Sequence, residues 1–244
     1  MEDEVYQKMY ENEDTFWWNI GIRKVAAALL NKYISRKSEN KILDVGCGTG
    51  SMFSLLRNYG SVWGIDASST AVSYARRRGI ANAVSQAFAE KMPFPNNYFD
   101  IVVCFDVLYH QWIGDEGAVV REMKRVLKPG GILILKEPAY DWLRSQHDKI
   151  FWTKRRFSKK KLVRVLRNAG FVILKSSYVS FLLFPLAFVK RFSERIWPEK
   201  HPFENLFASS KLMDNLKFCL YAESAVIKYV NFPFGLSVMC VAKK

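Results

Sequence analysis

The sequence predicts an α/β protein built on a doubly wound parallel sheet, and three observations carry that reading. The run Lys41-Ile42-Leu43-Asp44-Val45 ends in glycines at alternate positions, Gly46, Gly48 and Gly50, and a helical pattern (Phe53, Leu55, Leu56, Tyr59) follows at once. That is the strand, turn and helix with which nucleotide-binding sheets open. A second apolar run, Val62-Trp63-Gly64-Ile65-Asp66, also ends in an acid. The stretch from Asp100 to Phe105 is apolar almost throughout, as a strand covered on both faces must be. Strands alternating with helices in this way require right-handed crossovers and parallel pairing.

Each element has its own signal. Before Lys41 the chain reads as a helical prelude: Thr15-Phe16-Trp17-Trp18, then Val25, Ala26, Leu29, Leu30 and Tyr33 at helical spacing. Three adjacent aromatic residues cannot all face one core, so at least one of Phe16, Trp17 and Trp18 is expected to line a pocket or a lid. Ser68 to Arg78 reads as a helix with Ser68 as its N-cap, and Ala83 to Phe88 as the third strand. After the fourth strand, Asp100 to Phe105, a helix from about Asp115 to Leu127 is stopped by Lys128-Pro129-Gly130-Gly131, and a fifth strand runs from Ile132 to Lys136. A helix from Ser158 to Asn168, closed by Gly170, leads to a sixth strand, Phe171 to Tyr178. The stretch from Val179 to Gly235, with helical spacing at Leu212, Leu216, Leu220, Ala222 and Val226, is too long for a structureless loop. It is expected to form helices folded over the carboxyl end of the sheet, or else a surface for oligomerisation. Leu236 to Ala242 reads as the last strand. The expected organisation is a helical lid over 1–40, a core over 41–178, a helical cap over 179–235 and the closing strand over 236–244.

A chain of 244 residues, half of them apolar, suits one domain with a full core. Its formal net charge of +14 would favour nucleic acid, an anionic membrane surface or an acidic substrate. The basic clusters, Arg76-Arg77-Arg78, Lys154-Arg155-Arg156, Lys159-Lys160-Lys161 and Lys190-Arg191, are scattered, and solvated helix faces account for them equally well. Met1-Glu2-Asp3-Glu4 has neither the basic start nor the apolar core of a secretory signal, so a cytoplasmic protein is expected. Cys47, Cys104, Cys219 and Cys240 are far apart and read as reduced thiols, and no ligand spacing for a metal is evident. The longest apolar run, Val179 to Val189, contains Pro185 and is too short to span a bilayer.

The glycine turn reads as a cradle for a nucleotide-type cofactor, because glycine lets a flat ligand lie against the backbone. Asp66 stands where a carboxylate reaches ribose hydroxyls. The spacing departs from the dinucleotide pattern, since the third small position of G-x-G-x-x-G would fall on Ser51. Asp44 would repel a pyrophosphate and would suit a cation such as a sulfonium amino acid. The stretch Leu43-Asp44-Val45-Gly46-Cys47-Gly48-Thr49-Gly50 resembles the first motif of class I S-adenosylmethionine (SAM)-dependent methyltransferases. The resemblance continues through Gly64-Ile65-Asp66-Ala67-Ser68, Ala89-Glu90-Lys91-Met92-Pro93-Phe94, Tyr98-Phe99-Asp100-Ile101-Val102-Val103 and Val126-Leu127-Lys128-Pro129-Gly130-Gly131, in the family's order, over about the first two-thirds of the chain.

The resemblance implies a seven-stranded, mostly parallel Rossmann-like methyltransferase sheet, with the last strand inserted antiparallel between the fifth and sixth. It implies SAM as cofactor, held by Asp44, Gly46, Cys47, Gly48, Gly50, Asp66, Ala67, Ala89, Glu90 and Phe105, with Trp18 and Arg23 closing over it or, for the tryptophans, simply packing. One departure stands out: the family's acid for the adenine amine falls on Phe88, so Glu90 and the Ala89 backbone take that edge or Phe88 only packs on the ring. The end of the fourth strand, Cys104-Phe105-Asp106-Val107, lacks the Asn/Asp-Pro-Pro-aromatic block of enzymes that methylate exocyclic base amines. The block Glu137 to Asp148, followed by Lys154-Arg155-Arg156-Phe157, resembles a subgroup of methyltransferases often linked to surface-glycan or secondary-metabolite pathways, which implies a small or saccharide-like acceptor methylated at O or N; RNA, favoured by the charge, and a non-catalytic SAM-binding protein are the alternatives. His147 is the expected general base on positional grounds, with Asp148 or Asp141 orienting its ring, although His147 and Asp148 would equally cap a helix. His110 and Tyr140 are the other candidates, and Glu137 and Asp148 lie in the same region.

Overall fold

The computed structural model describes residues 3–196 and 210–244. Seven strands form one sheet: β1 (Lys41–Val45), β2 (Ser61–Asp66), β3 (Ala83–Gln86), β4 (Phe99–Phe105), β5 (Leu127–Pro138), β6 (Val172–Val179) and β7 (Ser237–Lys243). Their spatial order is β3-β2-β1-β4-β5-β7-β6, with β7 antiparallel to both neighbours and the other pairs parallel. The order reverses between β1 and β4, and in open α/β sheets that reversal opens a crevice at the carboxyl ends of the strands. Asp44 faces Val103 across the crevice strands, and Val45 faces Cys104.

The helices in chain order are α1 (Asp3–Asn12), α2 (Trp17–Tyr33), α3 (Phe53–Leu56), α4 (Ser69–Arg77), α5 (Glu116–Val126), α6 (Gln146–Ile150), α7 (Lys159–Asn168), α8 (Phe184–Ile196), α9 (Lys211–Asn215) and α10 (Lys217–Val226). Period-two alternation sends each strand's side chains to two cores. Ile42, Ile101, Val103, Ile134, Met239 and Val241 meet α2, α3, α4 and α10 on one face. Leu43, Val45, Val102, Leu133, Leu135 and Cys240 meet α5 and α7 on the other. Ser68, Asp115 and Ser158 each accept a hydrogen bond at the start of α4, α5 and α7, from Ala71, Gly117 and Lys161 N–H respectively, so these helices begin where a side chain satisfies an orphan donor.

Three expectations change. The N-terminal forty residues are not one lid: Val25, Ala26, Leu29 and Leu30 of α2 are fully buried core residues, and truncating Leu29 to alanine would cost about 2–5 kcal/mol. Met9 of α1 lies over the glycine turn at Gly48. The proline-glycine stretch after α5 is not a stop before the strand but lies within it: β5 begins at Leu127, opposite Phe99, and the register shifts before Ile101 meets Ile132. Gly130, at φ +78°, carries the bulge. The segment expected to cap the sheet divides. The α10 helix packs along α2, so closely that a Cβ on Gly21 would stand 2.2 Å from Leu220 Cδ1, while α8 stands beside the chain leaving β5. Buried Glu223 fastens this arrangement by accepting from the N–H of Ser180 (2.8 Å) and Leu182 (2.9 Å).

Candidate active site

The crevice at the carboxyl ends of β1, β2 and β4 gathers three acidic side chains. Asp44, on β1, is 3% exposed, and its Oδ2 has no hydrogen-bond partner among the described residues. Burial, with Asp66 and Glu13 nearby, pushes its carboxyl up to about 8. Asp66, at the end of β2, accepts from the N–H of Gly48 (2.9 Å) and Ser68 (2.9 Å), which locks the glycine turn to the β2–α4 turn. Burial raises its carboxyl as well, against those hydrogen bonds. Glu13, between α1 and α2, accepts from the Thr49 hydroxyl and from Arg78 Nη2 (2.6 Å), and its carboxyl is also raised by burial.

Carboxyls that resist ionisation where no cation is bound are a receptor for one. The glycines refine this. A Cβ on Gly46 (φ +68°) would meet Val107 Cγ2 at 2.3 Å, and one on Gly50 (φ +84°) would meet the Phe53 ring at 2.8 Å; both spaces belong to the chain's own packing. A Cβ on Gly48 (φ +54°) would meet nothing nearer than Met9 Cε at 3.7 Å. Of the three, Gly48 alone is overlaid by the end of a flexible side chain, that of Met9 on α1, rather than by fixed packing.

The helix α1 covers this cradle. The Tyr6 phenol bonds to Ser68 beside Asp66 and is pushed up to about 12, chiefly by burial. Arg78 holds the far end, donating to Thr49 O (2.5 Å), Asp14 (2.6 Å) and Glu13. Arg23, expected to close over a cofactor, instead donates to the carbonyls of Glu13 (3.1 Å), Asp14 (3.1 Å) and Ser51 (3.5 Å), bracing α2 to the α1 connection and the glycine turn. Trp18 packs on the α2-side core with its ring edge-on to Trp17 at 5.7 Å. The Cys47 thiol is buried beside Asp44 and Asp66, and its pKa is driven well up, first by burial. Ala67 is exposed and its carbonyl accepts from Gln86 (3.0 Å); Ala89 is buried and Glu90 half-buried on the turn after β3. Phe88 lies beyond β3 and is 65% exposed, beside that turn. Phe105, the last residue of β4, packs on the α2-side core.

At the ends of β4 and β5 lies a second constellation, in which sequence reading named Glu137, His110 and Tyr140 but missed the Asp106 and Lys136 pair. Asp106 sits at φ +58° and pairs with Lys136, whose side chain is almost fully buried. A non-glycine residue in that backbone region is held by its surroundings and marks a place to look for function. Glu137, a candidate base by position, is instead structural: fully buried, it accepts from the N–H of Val107 (3.1 Å), Leu108 (2.8 Å) and Tyr109 (3.1 Å) and shapes the loop after β4. Its carboxyl is pushed up to about 8 by burial and by Asp106. His110 stacks on Tyr109 at 4.8 Å; burial lowers its imidazole to about 4, and Nδ1 has no partner among the described residues. It is therefore neutral at pH 7 and only weakly basic.

Tyr140 stands at φ +56° and stacks between Tyr178 (5.1 Å) and Trp142 (5.3 Å), with Phe184 of α8 edge-on at 6.1 Å. Burial and Tyr178 hold its phenol above the usual range, which disfavours the phenolate a base would need. His147 lies on α6, and its side chain is outside the described residues. Its expected partner Asp148 accepts from Arg156 Nε (2.8 Å), Arg156 Nη2 (2.9 Å) and Ser145 N–H (2.7 Å). Asp141 likewise accepts from Arg144 (2.9 Å) and Arg156 N–H (3.2 Å). Among the described residues no three His, Cys, Asp or Glu side chains are grouped to hold a metal, and no helix is long and apolar enough to cross a membrane.

Residues 43–135 match the family model described as a methyltransferase domain. Among curated proteins, the ubiquinone/menaquinone biosynthesis C-methyltransferase UbiE of Neisseria meningitidis serogroup C is 33% identical over 145 residues, 55% of this chain and 58% of that protein. UbiE of Shewanella frigidimarina is 38% identical over 121 residues, 44% of this chain and 47% of its own length. The chain thus spans about half the length of these relatives. Among solved structures, the [4+2]-cyclase SpnF is 25% identical with a TM-score of 0.59, over 91% of this chain and 81% of that one. A methyltransferase-like chain solved with the Trm112 activator of Haloferax volcanii has the same fold at 18% identity, TM-score 0.64, covering 100% of this chain and 98% of that one. Residues 43–135 thus match a methyltransferase domain, for which SAM is the cofactor. The buried Asp44 carboxyl, whose Oδ2 has no hydrogen-bond partner among the described residues, fits that cofactor's cation, and the Gly48 turn, overlaid only by the flexible Met9 side chain, fits its close approach.

Proposed function

We propose that the protein is a cytoplasmic SAM-dependent methyltransferase that modifies O or N of a small-molecule or saccharide-like acceptor bound at the carboxyl edge of β4 and β5. The observation that carries the reading is the buried Asp44 carboxyl, whose Oδ2 has no hydrogen-bond partner among the described residues, beside the Gly48 turn. SAM supplies a methyl group already activated on a sulfonium. The chain's residues do the rest. Asp44, Asp66 and Glu13 provide the negative charge that holds a cation, with Gly46, Cys47, Gly48 and Gly50 as the turn beneath it. Ala67, Ala89, Glu90 and Phe105 line the nucleoside side, and α1 with Tyr6 excludes water, as transfer to anything but solvent demands. Trp18 and Arg23 support this cover from behind the turn.

The acceptor lies between the 140–148 segment and α8, against Tyr140, Trp142 and Phe184, which align it by stacking. Its proton passes to His147, while His110, neutral and only weakly basic, is the weaker candidate, with Asp106 near enough to favour its charged form.

Transfer to carbon is the second reading, favoured by the curated relatives, which are named as C-methyltransferases of ubiquinone and menaquinone biosynthesis. The [4+2]-cyclase on the same fold supports keeping a non-methylating role in the test. The experiment is a turnover assay with methyl-labelled SAM against phenols, quinols, amines, amino sugars and bulk tRNA, with mass spectrometry of the product to assign O, N or C. Label in a small acceptor supports the proposal. Label only in RNA overturns it, and retained SAM without turnover on any acceptor gives the non-catalytic reading.

A further inference from the structure

We infer that Arg191 of α8 decides which acceptor is accepted, and that the acceptor is an organic acid whose carboxylate or phosphate group this guanidinium binds. The inference rests on the methyltransferase reading above and names the chemistry of its acceptor. Lys190 and Arg191 are adjacent in sequence, but a helix turns them about 100° apart. Arg191 follows Phe184 by seven residues and Phe188 by three, so these three side chains leave α8 on one face. That face is turned toward the acceptor: the Phe184 and Phe188 rings stand 6.0 and 5.9 Å from Trp142, which stacks on Tyr140 at the end of β5. Lys190 points instead to solvent.

The neighbouring charges single Arg191 out. Asp141 holds Arg144 (2.9 Å), Asp148 holds Arg156 (2.8 Å) and Glu194 holds Lys190 (3.6 Å). Arg156 is bound on every side, since Nε and Nη2 donate to Asp148 and Nη1 donates to Ala139 O (3.0 Å). Each of the three acids is thus matched to a cation, and Arg191 is a fourth cation beside them. It lies close enough to feel Arg156, Glu194 and Asp148, yet among the described residues it makes neither an ion pair nor a hydrogen bond. Its side chain is half-buried, and burial, then Arg156, hold its pKa below the ordinary guanidinium value. A guanidinium keeps its proton in proteins, so a set of five donors withdrawn from water without an acceptor is unfavourable until an anion arrives. Its planar fork matches the paired oxygens of a carboxylate or a phosphate. Trp142, Phe184 and Phe188 form the apolar wall against which the rest of such an acid lies. The net charge of +14 draws anions to the molecule, and Arg191 gives that attraction a defined end point.

The test is calorimetric titration of the full chain, saturated with S-adenosylhomocysteine, with three matched pairs of probes. These are para-hydroxybenzoate against para-hydroxybenzamide, phenyl phosphate against phenol, and glucuronate against glucose. At least one acid is expected to bind about tenfold to a hundredfold more tightly than its neutral counterpart, the weight of a charge-assisted contact. The hydroxybenzoate and phenyl phosphate arms tell a carboxylate from a phosphate. Arg191→Gln should abolish the preference and Arg191→Lys should keep part of it. Both variants should bind S-adenosylhomocysteine as wild type does, and Arg191→Gln should melt at or above the wild-type temperature, because it removes a half-buried charge that has no partner. Failure of all three acids to bind, a preference that survives Arg191→Gln, or a variant that melts well below wild type would overturn the inference. Saturation with S-adenosylhomocysteine is measured first, so its failure refutes the methyltransferase reading, whereas its success without a preference for acids refutes this inference alone.

Discussion

Replacing Asp44 with asparagine should strengthen the ligand-free protein and weaken its hold on SAM. The folded chain keeps this carboxyl protonated up to about 8, against an ordinary value of 3.8. A carboxyl whose folded pKa is raised contributes its full stability below the unfolded value and loses it as pH rises through the folded one. At pH 7 the unfolded chain has been ionised for about three pH units, a penalty of at most ~4 kcal/mol at ~1.4 kcal/mol per unit. Relaxation and water entry reduce this to about 2 kcal/mol, because buried sites behave as though far more polarisable than dry protein. For a chain of this size that raises the melting temperature by about 4–8 °C. The gain should shrink below about 1 kcal/mol at pH 5, where the unfolded chain is only just ionised. Thermal melts of both proteins without ligand, at pH 5 and pH 7, measure it. SAM affinity should fall about tenfold to a hundredfold, the weight of a charge-assisted contact. A variant less stable than wild type at pH 7, or a gain independent of pH, would refute the reasoning.

Three further outcomes follow from the same geometry. Gly48→Val should leave the fold intact by circular dichroism at a strain cost of about 1–2 kcal/mol while abolishing SAM binding, whereas Gly46→Val, whose side chain meets Val107, should fail to fold stably. Arg78→Ala frees Thr49 O, Asp14 and Glu13, so limited proteolysis should cut within residues 3–16 faster than in wild type, and added SAM should slow the cutting in wild type. His147→Ala should cut turnover about a hundredfold with SAM affinity unchanged; near-normal turnover would pass the proton to His110 or to no side chain.

Much of the scaffold was legible in the sequence because its signals are local. The β1 run, its glycine turn, the Ser68 cap and the apolar β4 each declare themselves within about ten residues. What escaped depends on partners far along the chain. Glu137 reads as a candidate base until the loop at Val107 to Tyr109, folded back from β4, brings three N–H groups to it. Asp148 reads as a histidine's neighbour only, and nothing local announces that Arg156, eight residues on, donates to both its oxygens. The lid was drawn too wide because α2 shows helical spacing either way, and only its packing against α10 through Gly21 and Leu220 makes it core. The Asp106 and Lys136 pair joins the ends of two adjacent strands, and a faint signal existed: both residues close apolar runs at the edge where ligands bind.

The central claim is that the carboxylates around the glycine turn form a receptor for a sulfonium-bearing nucleoside. Titration calorimetry of the purified chain with SAM, S-adenosylhomocysteine and NAD, in two buffers of different ionisation heat, tests it most directly. The account predicts one-site binding of SAM accompanied by release of a proton between pH 6 and the Asp44 value of about 8, with affinity rising as pH rises through that range, and no response to NAD. Binding of NAD with no heat from SAM, or SAM binding that neither releases a proton nor depends on pH, would contradict it.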